Sequence, residues 1–318
     1  MKKVVFLITF LLCGVFVYAQ TSTENIGGLL YSIDTEAKTA TLIANEDDEY
    51  KGDIFIPEKV KTKGGETYTV VSLGDKCFEN CWIKSVIIPN TVKSLGDECF
   101  KSCYDLKEIA IPSSVAKLGK DCFSWCNNLE KVSLPQSVTY LSDGCFQFCR
   151  KLNDITIPGS VTSLESDCFY ISTNLTSIEI PSSVVSLGEA CFYLTGLKSV
   201  KIPSSITSLS TDCFQLCSSL ESVEIPSSVT SFGEYCFDGC SKLESIDIPS
   251  SVTFLGIGCF MYCSYLEKVV IPSSITSLST NCFWGCSGLK NIEIPSSVTL
   301  LAGGCFLGCS SLESTYFL

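Results

Sequence analysis

Cysteine is the residue with the most chemistry to offer in this chain: it occurs 21 times in 318 residues, and histidine does not occur at all. Cys13 stands alone near the start. Eleven more open a Cys-Phe dipeptide, at Cys77, Cys99, Cys122, Cys145, Cys168, Cys191, Cys213, Cys236, Cys259, Cys282 and Cys305. Nine follow four residues after such a cysteine, at Cys81, Cys103, Cys126, Cys149, Cys217, Cys240, Cys263, Cys286 and Cys309, with Ser172 and Thr195 holding that column in the other two places. Thiols in this number can cross-link, bind metal, exchange electrons or act as nucleophiles. The missing imidazole excludes Cys-His and Ser-His-Asp systems. Zinc sites favour closer cysteine spacing and often recruit histidine. Thioredoxin-like exchange uses Cys-x-x-Cys, whereas the spacing here is Cys-x-x-x-Cys. No phosphate loop or dinucleotide fingerprint is present, and the carboxylates sit in variable columns. The expectation is a protein without catalysis and without a cofactor.

The elements that position these thiols are set by a repeat. Eight of the intervals between successive Cys-Phe dipeptides are 23 residues and two are 22, the short ones arising from single-residue gaps before Ile83 and Leu197. A fixed period of this length with Leu and Ile in set columns is the signature of a leucine-rich-repeat solenoid. In the unit beginning at Leu220, period-2 alternation places Val223 and Ile225 inward and Glu224 outward. Pro226 ends the strand, Ser227 and Ser228 make a polar corner, and Val229 and Phe232 turn inward again. Cys236, Phe237 and Cys240 have the spacing of a helical or 3₁₀ turn closing the coil back to Leu243. One unit cannot stand alone: about seven inward side chains at about 1.5–3 kcal/mol each do not offset the ordering of its backbone at about 1–2 kcal/mol per residue. Stability must come from stacking, with strands of successive turns in parallel about 4.8 Å apart. The expected fold class is an α/β-type right-handed coil, with a parallel β-sheet on one face and short helical or 3₁₀ turns on the other. About eleven repeats of 22–23 residues fill residues 67–318.

That geometry bears on the thiols. Cβ atoms four residues apart on a helical turn lie about 5–6 Å apart, a disulfide needs about 3.5–4.5 Å, and equivalent atoms of stacked rungs lie near 4.8 Å. Pairing within each unit would also leave Cys168 and Cys191 without partners. Both columns read as ladders of reduced, buried thiols acting as compact apolar groups; disulfides in some rungs, or metal, stay open as alternatives.

Residues 1–19 read as a secretory leader: Lys2 and Lys3, an apolar run from Val4 to Val17, and a small-residue cleavage site ending at Ala19. Leu12 before Cys13 argues against lipid attachment there. No later stretch is long and apolar enough for a membrane span. Residues 20–66 read as an N-terminal cap that covers the end rung and carries the first strand. In it Leu29–Ile33 and Thr39–Ile43 form a β-hairpin, Lys51–Pro57 supplies the first Ile-x-Ile-Pro strand, and a second hairpin turns at Lys63-Gly64-Gly65.

Segments of the form Ile-Pro-Ser-Ser-Val-Thr-Ser-Leu-Gly and Cys-Phe-x-x-Cys-Ser-x-Leu-x-x-Ile resemble the BspA-like class of leucine-rich-repeat proteins, over essentially everything after the leader. That family comprises secreted or surface-attached proteins of bacteria and some protozoan parasites, and its characterised members act in adhesion. The resemblance implies the solenoid, a secreted or cell-surface location, and a binding role. The family usually has Ala-Phe where this chain has Cys-Phe in every repeat.

The net charge is −12, falling to −14 when the leader removes two lysines and no acid. Phosphate-rich partners and anionic membranes are disfavoured, so nucleic acid is excluded as the expected partner. The column between the two inward residues of each strand faces outward, and its second half is the candidate ligand-facing surface: Glu179, Lys201, Glu224, Asp247, Val270, Glu293 and Tyr316. Glu224 and Asp247 on adjacent rungs place like charges side by side. The expected partner is an extracellular protein or glycan. The alternative is a self-assembling surface scaffold, since Leu312 to Leu318 reads as an uncovered last rung.

Overall fold

Each unit bends three times, and its residue types decide where. The computed structural model describes residues 21–46 and 49–317, the last four as backbone alone. The expected leader, Met1 to Ala19, lies outside the described residues. Apolar alternation gives a first wall of short strands, among them Ser199–Lys201, Ser222–Glu224 and Lys268–Val270. The proline that follows closes a tight turn, as where the Val229 amide donates to the Pro226 carbonyl at 3.1 Å. In eight units the serine at this corner donates its hydroxyl to a carbonyl of the rung before, at 2.5 to 2.8 Å. The chain then runs into a two-residue strand, such as Ser208–Leu209, Ser231–Phe232 and Phe254–Leu255, paired in parallel and in register to form a second wall.

The third wall differs from the expected helical or 3₁₀ turns. Among the described residues there is no helix of either kind; this wall is a run of tight turns. Two left-handed residues per unit are the cause. In the unit of Cys236 these are Tyr235 and Gly239, with φ of +53° and +71°. They prevent consecutive right-handed residues from propagating, and they turn alternate amides along the rod. Tyr235, Phe237 and Gly239 donate to Ile257, Cys259 and Met261 of the next rung at 2.7–2.9 Å, while Asp238 and Cys240 donate back to Tyr235 and Phe237. A helix would keep all of these bonds within its own segment; here three of the five couple rungs.

The core follows from this coupling. Eleven phenylalanines, from Phe78 to Phe306, stack one per rung with ring centroids 5.1–5.7 Å apart and planes within 23°. Offset ring pairs add about 0.5–1.5 kcal/mol beyond their buried area. Leu from the start of each unit, Val or Ile after the Ser-Ser corner, and Leu or Phe of the second wall fill the space around the column.

The N-terminal hairpins are present, with one strand more than expected. Strands β1 (Thr21–Ile26), β2 (Leu29–Asp34) and β3 (Thr39–Leu42) form an antiparallel meander. The first-wall strand β4 is Lys51–Phe55. Strands β5 (Lys59–Lys61) and β6 (Thr67–Leu73) make the second hairpin. β3 then joins β6 in parallel, and β4 pairs with β7 (Trp82–Ile87). Tyr50 ends the phenylalanine column edge-on against Phe78, at 5.2 Å. Its hydroxyl is held in place, donating to the Ile43 carbonyl at 2.8 Å and accepting the Leu30 amide at 2.9 Å.

Candidate binding surface

The first wall presents its outward column as the alternation requires. Glu179, Lys201, Glu224, Asp247 and Val270 are exposed between buried or half-buried Val and Ile positions, Val223 and Ile225 beside Glu224 being half-buried, and Glu293 is half-buried. Tyr316 is in register with Glu293 by its backbone, and its side chain is not described. The expected side-by-side placement of Glu224 and Asp247 is not realised as a sheet contact, because Ser222–Glu224 and Ser245–Ile246 belong to different sheets. Glu224 instead meets Lys201, directly opposite in register, at 2.9 Å, and Glu293 meets Lys268 at 3.2 Å. Exposed pairs of this kind contribute little to stability; their effect is to present alternating charge.

The wall is also interrupted. It consists of four separately paired pieces, and the rung at residues 177–180 contributes no strand. No backbone hydrogen bond joins Ser177, Ile178, Glu179 or Ile180 to a neighbouring rung. The next strand, Ser199–Lys201, follows the corner at Leu197 that is one residue short. A groove of about 860 Å³ opens at this break, between Asp154 and Glu224. Ser177, Glu179, Ser199, Lys201 and Ser222 line it. Hydroxyls, carboxylates, one ammonium and unbonded peptide groups suit a polar ligand held by hydrogen bonds.

The cysteines lie elsewhere, inside the turn wall. All twenty described cysteines are unpaired thiols, and every one but the half-buried Cys309 is buried. Those of the second column have a specific partner that sequence reasoning missed. The thiols of Cys103, Cys126, Cys149, Cys217, Cys240, Cys263, Cys286 and Cys309 donate to the phenylalanine carbonyl of the rung before, at 3.0–3.2 Å. Ser172 makes the same bond through its hydroxyl, to Phe146 at 3.0 Å, and Thr195 bonds Phe192 in its own unit. The substitution pattern was the available signal: only hydroxyls replace the thiol. Burial pushes the ionisation of Cys122, Cys145, Cys168 and Cys236 well above the ordinary thiol value, which keeps them from reacting as thiolates. Among the described residues no group of three or more Cys, Asp or Glu is placed to hold a metal ion. No helix there is long and apolar enough to cross a membrane.

The same coil is found in known proteins. A leucine rich cell surface protein from Faecalibacterium prausnitzii is 28% identical, with a TM-score of 0.58 over 94% of this chain and 95% of its own. A leucine-rich repeat protein from Bacteroides ovatus is 25% identical, with a TM-score of 0.59 over 91% of this chain and 98% of its own. The pneumococcal vaccine antigen PcpA, 17% identical with a TM-score of 0.55 over 93% and 98%, shares the fold. No curated protein matches the sequence. The BspA type leucine rich repeat region, in six copies, matches residues 71–195 and 185–313. With its rungs, its proline corners and its Phe column within those ranges, the chain belongs to the BspA-type leucine-rich-repeat family.

Proposed function

We propose that this chain is a cell-surface or secreted binding module that acts without catalysis, with its ligand, a protein or a glycan, lying along the first wall. The groove at the 177–180 rung carries the reading, because there the wall offers unbonded peptide groups beside Glu179, Lys201 and Glu224. Family membership and the cell-surface relative support an exported location, for which residues 1–19 would be the leader. Residues 20–66 act as the cap of the solenoid formed by residues 67–318, and both cysteine columns serve as reduced structural ladders.

The test is binding of the full chain and of a Glu179→Lys/Glu224→Lys/Asp247→Lys variant to immobilised extracellular-matrix proteins and a glycan array. Binding is expected to fall at least tenfold for the true ligand. An unchanged binding profile in the variant removes the first wall as the ligand face. The competing scaffold reading has Leu300 and Leu307, 60% and 61% exposed on late rungs, in its favour; growth of the particle with concentration in light scattering would select it.

A further inference from the structure

The turn wall carries a second surface. Two positions per unit on this wall are left-handed. One precedes Cys-Phe and in seven of the eleven units holds a residue suited to that backbone, Asp121, Asp167, Asp212 and Asn281 with glycine at 144, 258 and 304, while Lys76, Glu98, Ala190 and Tyr235 hold it in the others. The other lies between Cys-Phe and the second cysteine column. It holds Trp125, Phe148, Ile171, Leu194 and Leu216 in five successive rungs, then Tyr262, at φ of +52° to +61°. Bulky and β-branched side chains are outliers in this region. The backbone conformation therefore disfavours the residues that fill this position.

Nor does burial account for them. Trp125, Leu216 and Tyr262 are 38%, 37% and 49% exposed, and Phe148, Ile171 and Leu194 are half-buried. Neighbouring rings join them into a stripe, with Trp125 stacked on Phe148 at 3.9 Å and Tyr170 on Tyr193 at 4.5 Å. A partly exposed apolar stripe running over several rungs is the kind of surface that docks a partner.

Charge identifies the occupant. Asp167 and Asp212 flank the stripe, and none of the nine ion pairs among the described residues involves them, Glu189 or Glu234. Burial, then neighbouring carboxylates, raise the ionisation of both Asp167 and Asp212; the row is acidic and uncompensated. Asp238, only 5% exposed, accepts Gln215 at 2.7 Å on one oxygen, and its other oxygen has no partner. A cation already sits over the stripe, Arg150 at 6.0 Å from the Phe148 ring. Isologous contact with a second copy would bring these acidic rows together, and anionic lipid would meet the same repulsion. We infer that the turn-wall stripe docks a cationic protein segment with an apolar face, its Lys or Arg side chains reaching the carboxylate row and its apolar side chains covering the rings.

The experiment uses the full chain and a 14-residue Lys-Leu peptide, followed by calorimetry and tryptophan fluorescence at 150 mM salt, with a Glu-Leu peptide and cellohexaose as controls. The Lys-Leu peptide alone is expected to bind. Phe148→Asn/Leu216→Asn should weaken it at least tenfold while leaving Tm unchanged or raised, because Asn accepts the left-handed backbone. Asp167→Asn/Asp212→Asn should weaken it similarly and flatten the salt dependence, and it keeps the test open if the first variant folds poorly. Glu179→Lys/Glu224→Lys should leave it within twofold. Equal binding of the Glu-Leu peptide, binding of cellohexaose alone, a dimer abolished by the apolar variant without peptide binding, or wild-type affinity in both stripe variants would each overturn the assignment.

Discussion

A thiol and a hydroxyl are interchangeable at residues 172 and 195 because the second cysteine column is a column of donors. The amide of Cys126 uses one lone pair of the Phe123 carbonyl, and the thiol of Cys149 uses the other. A disulfide sulfur has no hydrogen to donate, so oxidation would forfeit that bond at a buried carbonyl. Free buried thiols also give the protein a pH signature. Burial raises their ionisation, to about 11 at Cys217 and Cys305 from an ordinary value of 9. Between those values the unfolded chain releases protons that the folded chain keeps, so stability is complete below pH 9 and falls as pH rises. Each such thiol costs about 1.4 kcal/mol per pH unit once its unfolded counterpart is ionised. The urea midpoint is therefore expected to hold from pH 7 to 8.5 and to collapse by pH 10. Cystines have no proton to lose, so a midpoint that stays level through pH 10 would assign the columns to disulfides instead.

At the scale of elements, the turn wall is the continuous one: the phenylalanine amide donates to the cysteine carbonyl of the next rung at ten successive joints, from Phe78 to Phe283. Removing one ring opens a void between two stacked neighbours. Phe169, with rings 5.7 and 5.6 Å away on either side, is fully buried, and Phe169→Ala is expected to cost about 3–5 kcal/mol by urea unfolding. A loss below about 1 kcal/mol would mean that the column is not what binds the rungs. The strands were legible in the sequence, because period-2 alternation and a proline stop act locally: Val200 and Ile202 are buried and Lys201 is exposed, as Val223, Glu224 and Ile225 had suggested for their own unit. The turn wall was not. Cys, Phe and Cys at i, i+1 and i+4 match a helical face, and the left-handed residues that forbid a helix include Trp125, Ile171 and Leu216, types that carry no such signal. The interruption at 177–180 was equally silent, since Ile178-Glu-Ile-Pro181 reads like every other strand; pairing is decided by the neighbouring rung.

For the whole molecule, the consequence is one weak joint. Between the coil of Cys191 and that of Cys213 both strand walls lose their ladders: residues 177–180 pair with nothing, and Ser186–Leu187 and Ser208–Leu209 lie in different sheets. The turn wall continues there, with Ala190, Phe192 and Leu194 donating to Thr211, Cys213 and Gln215, and outside it single bonds remain, from the Lys198 amide to Thr176 and from the Ser205 and Ser210 hydroxyls to the Val184 and Leu187 carbonyls. The other one-residue shortening, before Ile83, coincides with an irregularity too, a shift of register between Gly52 and Asp53 where β4 meets β7. In a solenoid each rung is stabilised by its neighbours, so the joint with fewest bonds opens first. Inserting one serine between Thr195 and Gly196 restores the 23-residue spacing. Hydrogen exchange is then expected to slow at least tenfold over Ser199–Leu209, about 1.4 kcal/mol, while Ser245–Leu255 stays as before. Unchanged or faster exchange over Ser199–Leu209 would show that the break is set by side chains and not by the length of the corner. Because the groove exists only where the strands part, the same insertion should also close it, so a stiffer rod that still binds its first-wall ligand would separate the joint from the site.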